Sequence, residues 1–213
     1  VGKSTLSRVI MGDPNYKVLS GEIYFDDKKL NDLTVDERAR LGIFLGMQMP
    51  LEIEGVTNAD FMRTGIHIKE QNDFKLMKFI REMNSTCKKL KMDEEMIHRS
   101  INKGFSGGER KKNEILQMYL LKPSMIMLDE IDSGLDVDSL KIVGENVMDY
   151  YKENEAGILL ITHYQRLLDY IKPDFVHIMM DGKIIKSGDC SLVKEIEEKG
   201  YTKIKSEILG ENS

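Results

Sequence analysis

Three short apolar runs along the chain each end in polar residues. Residues 42–46 read Gly-Ile-Phe-Leu-Gly and lead to Gln48; residues 125–128 read Met-Ile-Met-Leu and stop at Asp129 and Glu130; residues 157–161 read Gly-Ile-Leu-Leu-Ile and stop at Thr162 and His163. Continuous apolar runs of this length predict parallel strands buried on both faces. Open α/β sheets bind ligands at the carboxyl ends of their strands, which is where these polar residues would be delivered.

Helical periodicity fills much of the rest. Residues 5–11 continue a helix that starts at the beginning of the chain. Thr34, with Glu37 three residues later, predicts a capped helix over 34–40. Residues 109–121 set Ile115, Leu116, Tyr119 and Leu120 on one buried face. Residues 164–171 read as a helix stopped by Pro173, 192–198 as a helix broken by Gly200, and 201–209 as a last amphipathic segment. Two hairpins are predicted, over 21–30 with an Asp26-Asp27-Lys28 turn, and over 175–187 with an Asp181-Gly182 turn.

From 50 to about 121 the pattern is helical and rich in methionine. Met47, Met49, Met62, Met77, Met83, Met92, Met96 and Met118, eight of the fourteen, lie there or at its entrance. Methionine fills irregular cores and also forms adaptable binding surfaces. A core role is expected for most, with Met47, Met49 and Ile53 the candidates for partner contact.

Composition narrows the class. At roughly 100–200 residues per domain, the 213 residues suit one compact domain with a lobe. The formal charge is −5 and no basic stripe is interleaved with aromatics, which points away from nucleic acid as a partner. Arg110, Lys111 and Lys112 are expected on the solvated face of their helix. No apolar run approaches the roughly 18 residues of a membrane span. The two cysteines, Cys87 and Cys190, make neither a disulfide framework nor a Cys-x-x-Cys metal site.

Four groups carry candidate chemistry. The Ser106-Gly107-Gly108 turn opens a helix, where backbone N–H groups attract an anion and glycines let it approach; the same turn also fits a plain helix entry with Ser106 as N-cap. Asp129 is placed to hold Mg²⁺ through water, and Glu130 to orient or deprotonate an attacking water. His163 can donate to a phosphate or to water held on it. Gly2-Lys3-Ser4-Thr5 is the second half of a P-loop, in which Lys3 would reach the β- and γ-phosphates and Ser4 would ligate Mg²⁺. The first glycine of that motif and the strand before it are expected in a segment preceding residue 1.

Together these elements resemble the nucleotide-binding cassette of the ABC ATPase superfamily, over essentially the whole chain. The resemblance sets Gly2, Lys3, Ser4 and Thr5 at the Walker A end and Gln48 in the Q-loop. It sets Ser106, Gly107, Gly108 and Glu109 in the signature, Asp129 and Glu130 in Walker B, residues 133–136 in the D-loop and His163 at the switch position. The implied fold is α/β, a P-loop NTPase core with an antiparallel β-lobe and a helical subdomain. Its parts are a first core segment with part of the lobe at 1–48, the helical subdomain at 49–121 and the second core segment at 122–213. ATP is the implied substrate, with Mg²⁺ held by Ser4, Gln48 and Asp129, and catalysis by Glu130, His163 and Lys3. Implied nucleotide contacts are Gly2, Lys3, Ser4, Thr5, Gln48, Ser106, Gly107, Gly108, Glu109 and Asp136. The two halves of the site come from different subunits of a transient, ATP-dependent, head-to-tail homodimer.

Longer strings carry a narrower similarity. Residues 105–117 read Phe-Ser-Gly-Gly-Glu-Arg-Lys-Lys-Asn-Glu-Ile-Leu-Gln, unlike the Gln-ended signature and Arg- and Ala-rich helix of most transporter cassettes. With 48–56, 128–136 and 161–168, they resemble the SufC family of ATPases, of the SUF iron–sulfur cluster assembly system. That resemblance implies SufB and SufD scaffolds as partners, a cytoplasmic location, no direct membrane insertion, and a cluster carried by a partner rather than by Cys87 or Cys190. Met47 and Met49 depart from the aromatics frequent there. The competing class, the ATP-binding subunit of a membrane transporter, shares every catalytic motif. A nucleotide-binding regulator without catalysis is expected to lack the second acid, which is present as Glu130.

Overall fold

A computed structural model describes residues 2–70, 74–163, 165–196, 198 and 200. The expected amphipathic segment 201–209, Val1 and Tyr164 lie outside the described residues. Three parallel strands form the central sheet, β3 (Ile43–Gly46), β6 (Met125–Asp129) and β7 (Gly157–Ile161), in the order β3-β6-β7. β6 is the middle strand and alternates between two cores. Its Ile126 and Leu128 enter the larger apolar cluster with Ile115, Leu116 and Val143, and its Met127 enters a smaller one with Leu30 and Ile43. Coverage on both faces is why the run carries no polar residue until Asp129.

Around the sheet run α1 (Lys3–Met11), a short hairpin of β1 (Tyr24–Phe25) and β2 (Lys28–Lys29), and α2 (Val35–Arg40). Thr34 donates its backbone N–H to Glu37 Oε2 at 2.8 Å, closing the predicted capping box. Buried Arg38 binds the end of α1, donating to Val9 O at 2.9 Å, Ile10 O at 2.8 Å and Leu33 O at 3.0 Å. β8 (Val176–Met180) and β9 (Lys183–Gly188) pair antiparallel across Asp181 (φ +47°) and Gly182 (φ +76°), the two positive-φ positions of the hairpin turn that the Asp-Gly pair predicts. Residues 191–196 are helical.

The structure departs from the sequence reading in four places. The stretch 50–121 is not uniformly helical. β4 (Ile53–Thr57) pairs antiparallel with β5 (Ser100–Ile101), because β-branched Ile53, Val56 and Thr57 favour extended backbone and Gly55 sits at φ +83°. The helical parts of the stretch are α3 (Asn58–Glu70), α4 (Leu76–Lys89), a 3₁₀ turn at Glu94–His98 and α5 (Gly107–Leu121). Met62, Met83, Met92, Met96 and Met118 are buried there, whereas Met49 and Met77 are exposed. Residues 164–171, read as a helix, contain one 3₁₀ turn at Gln165–Asp169, confined by Pro173 close behind.

An 18-residue helix, α6 (Val137–Asn154), had no sequence prediction. Its signal was available, since Asp136 caps it through Ser139 N–H at 2.7 Å and Leu140, Val143, Val147 and Tyr150 follow at helical spacing. Finally, Lys111 is not on a solvated face. It is only 3 % exposed, drawn inward by backbone carbonyls and by Glu114.

Candidate active site

Strand register builds the site. Gly46 pairs with Leu128, and Leu128 with Leu160, so the three strands end together. Gln48 and Glu130 each lie two residues beyond that line, and His163 lies three beyond. α1 packs on β3 and β6 with its N-terminus at the same edge. It starts from Gly2 at φ +101°, a conformation that glycine adopts freely and other residues rarely do.

The side chains meet as two linked sets. Ser4 Oγ donates to Asp129 Oδ1 at 3.0 Å. Gln48 Nε2 donates to Glu130 Oε2 at 2.6 Å, and His163 Nε2 lies 3.2 Å from Glu130 Oε1. The other imidazole nitrogen, Nδ1, lies 3.4 Å from Lys3 Nζ. An ammonium has donors only, so Nδ1 accepts and the ring proton sits on Nε2, facing the carboxylate. Lys3, His163, Glu130 and Gln48 thus form one polar chain across the sheet edge.

Backbone geometry sets the two acids to separate tasks. Asp129 is the last residue of β6 and only 3 % exposed. Glu130 leaves the strand at φ +49°, a left-handed step that costs about 1–2 kcal/mol in a residue with a Cβ, and its N–H donates to Ile161 O at 2.8 Å. Burial raises the carboxyl pKa of Asp129, an effect partly offset by the Ser4 hydroxyl. A cation beside it would favour the ionised form.

The donor set suits Mg²⁺. A hydroxyl and a carboxylate stand side by side, while no group of three or more His, Cys, Asp or Glu among the described residues forms a metal cage. Mg²⁺ bound by few protein ligands, with water and phosphate completing its shell, needs no such cage.

The remaining expected residues stand apart from this cluster. Ser106 N–H donates to Glu109 Oε2 at 2.7 Å and Ser106 Oγ accepts from Glu109 N–H at 3.3 Å, a reciprocal cap on α5. Within the chain, then, Glu109 is a capping residue. Among the described residues no hydrogen bond links 106–109 to Lys3, Ser4, Gln48, Asp129, Glu130 or His163. Gly107 instead lies by the loop before α6, where an added Cβ would stand 3.8 Å from Gly134 O. Asp136 caps α6, and Thr5 is exposed. Asp132 escaped the sequence reading: it is buried, accepts from Thr162 Oγ1 at 2.5 Å, and ties the loop after Glu130 to the residue before His163. Its place two residues past the paired acids was the available clue.

Comparison with known proteins gives the same picture. The family described as ABC transporter matches residues 1–133. Vegetative protein 296 of Bacillus subtilis (strain 168) is 53 % identical over 209 residues, covering 97 % of this chain and 80 % of that protein. The chain belongs to the ABC family of ATP-binding cassettes. The cassette is an ATPase, of a family that hydrolyses ATP. A probable ABC transporter ATP-binding protein of Streptococcus pyogenes serotype M18 is 51 % identical over 209 residues, spanning 97 % of the cassette and 81 % of the relative. A probable ATP-dependent transporter of Cyanophora paradoxa is 48 % identical over 204 residues, spanning 94 % and 78 %. Among solved structures, a dimeric post-hydrolysis cassette bound to ADP and Pi superposes with TM-score 0.75 at 20 % identity, over 89 % of this cassette and 81 % of that chain. A nucleotide-free cassette from an ABC transporter superposes at 0.72 with 22 % identity, over 95 % and 82 %. The fold is that of an ABC nucleotide-binding domain. No helix among the described residues is long and apolar enough to cross a membrane.

Proposed function

We propose that this cassette hydrolyses Mg·ATP in a head-to-tail pair and uses the cycle to reshape SufB and SufD scaffolds during iron–sulfur cluster assembly, in the cytoplasm and without inserting into a membrane. The observation that carries the catalytic part is the Glu130 carboxylate, held between Gln48 Nε2 at 2.6 Å and His163 Nε2 at 3.2 Å. In this reading Glu130 accepts a proton from, or orients, the water that attacks the γ-phosphate, and His163 donates its Nε2 proton toward that phosphate. Lys3 turns from His163 to the β- and γ-phosphates and neutralises charge that develops there. Gly2, Thr5 and the first turn of α1 cradle the phosphates with backbone N–H groups. Ser4, Gln48 and Asp129 would hold Mg²⁺, which when bound offsets phosphate charge.

Pairing is supported by the glycines at the start of α5. Neither Gly107 nor Gly108 has a positive φ, and a Cβ on either would meet nothing within the chain closer than 3.4 Å. Their own chain does not require them to be glycine, whereas close approach of a ligand on a second copy would. Ser106, Gly107, Gly108, Glu109 and Asp136 are then the surfaces offered to the partner's nucleotide. The divisions 1–48, 49–121 and 122–213 are the units that move in this cycle. The SUF assignment is supported by the strings at 48–56, 105–117, 128–136 and 161–168, and by exposed Met49 and Ile53 beside Gln48 as scaffold contacts.

The test of catalysis is Glu130→Gln, expected to bind ATP, lose turnover and accumulate as an ATP-bound dimer on size-exclusion chromatography. Turnover at the parent rate would remove Glu130 from its role. A transporter subunit is the second reading, favoured by relatives described as transporter ATP-binding proteins. Copurification decides: scaffold proteins free of membrane support cluster assembly, and an integral membrane partner overturns it.

A further inference from the structure

Helix α5 carries the 106–108 turn at its start, and one turn later its buried polar face grips the chain around Gln48. Lys111 Nζ donates to Met47 O at 2.6 Å and to Gln48 O at 2.9 Å. Glu114 Oε1 accepts the Met47 N–H at 2.7 Å, and Lys111 and Glu114 meet at 3.4 Å. Arg110 pairs with Glu52, and Asn113 reaches Asn102, whose amide donates to Leu51 O at 2.8 Å. The Gln48 side chain itself is exposed and donates to Glu130.

Burying a lysine and a glutamate, here 3 % and 5 % exposed, is a poor way to gain stability, since well-packed apolar residues commonly do as well or better. Three backbone bonds to the segment that presents Gln48 are what apolar residues would not make. We infer that Lys111 and Glu114 are positioning residues for Gln48, which make the Gln48–Glu130 contact answer to the orientation of the helix that carries the 106–108 turn. The inference rests on the roles proposed above for Gln48, Glu130 and pairing. A helix transmits tilt along its length because its turns are hydrogen-bonded to one another. Engagement of the 106–108 turn by a second copy's nucleotide therefore reaches the carbonyls of Met47 and Gln48 one turn further on. One subunit's half-site reports on occupancy to the other half-site of the same subunit.

A double-mutant cycle on ATP turnover tests this in the intact protein, with Lys111→Met, Gln48→Ala and their combination. Each single change is expected to lower kcat about fivefold or more, with the ATP dissociation constant of Lys111→Met within about twofold of the parent and the double variant no slower than Gln48→Ala alone. Lys111→Arg, which keeps donors for both carbonyls, is expected to regain most of the loss. If the two losses multiply, Lys111 acts independently of Gln48 and the inference is overturned while the role of Gln48 stands. If Gln48→Ala turns over at the parent rate, the proposed role of Gln48 falls and the inference with it. Should Lys111→Met fail to fold, the same cycle run with the paired replacement Lys111→Met/Glu114→Leu, which removes all three backbone bonds and leaves no buried charge alone, decides by the same criteria.

Discussion

Single residues show where the free chain and the working site make different demands. Gly107 and Gly108 sit in the first turn of α5, at ordinary helical backbone and with room for a methyl group. Gly108→Ala should therefore keep or raise stability, by about 0.5–1 kcal/mol in a chemical melt, because alanine loses less entropy in a helix. The same variant should lose most ATP turnover through obstructed pairing; unchanged turnover would deny the turn its place in a shared site. Glu114 makes a second demand visible. Burial raises its carboxyl pKa from the ordinary 4.5 to about 7, against the partial pull of Lys111 and the Met47 N–H. Between those two values the native state keeps a proton that the unfolded chain has released, so this group's contribution to stability is full below about 4.5 and is lost as pH rises toward 7. Replacing Glu114 by Gln removes the dependence. Relative to the parent, the variant should gain on the order of 2 kcal/mol between pH 5 and pH 8, read from denaturant melts at each pH. A flat difference would mean that Glu114 titrates normally.

Elements were legible where one physical signal dominated. The runs ending at Gly46, Leu128 and Ile161 announced buried strands because nothing polar interrupts them, and their register then placed Gln48, Asp129, Glu130 and His163 at one edge. The Asp181-Gly182 turn and the Thr34 cap were equally plain. Mixed signals were harder to read. In β4 a glycine at the centre interrupts the pattern of a strand whose partner among the described residues, β5, is two residues long and lies more than forty residues away. Lys111 looked solvated because a lysine gives no local sign of carbonyls folding back over it from Met47 and Gln48. The join between α1 and α2 has the same character, since sequence gives no hint that Arg38 will cap another helix. Its guanidinium satisfies carbonyls of the last turn of α1, at the end where the helix dipole favours a cation. Arg38→Met should cost about 1–3 kcal/mol in a denaturant melt by removing the charged donor from Val9 O, Ile10 O and Leu33 O, of which Val9 O keeps the Gly12 N–H at 3.1 Å. A loss under about 0.5 kcal/mol would mean that the carbonyls find other partners.

At the scale of the whole molecule, the strand edge that bears Glu130 and the 106–108 turn share no hydrogen bond among the described residues, so on the proposed pairing turnover should depend on protein concentration. Specific activity is expected to rise with concentration until pairs predominate, and to fall when an excess of Glu130→Gln subunits, which bind ATP and hold their partner in an unhydrolysed pair, is mixed in. Concentration-independent activity in a protein that sediments as a monomer would place both half-sites in one chain. Sheet order has a separate consequence. The strands that aim Gln48, Glu130 and His163 begin at residues 43, 125 and 157, and the middle strand in space is the second in sequence. No two of the three side chains face each other until segments distant along the chain have paired in register, a slow kind of contact to form. On the roles proposed above, the part of the site made by Gln48, Glu130 and His163 is completed only by that pairing, and nucleotide bound across the finished edge would stabilise it over incompletely paired chains.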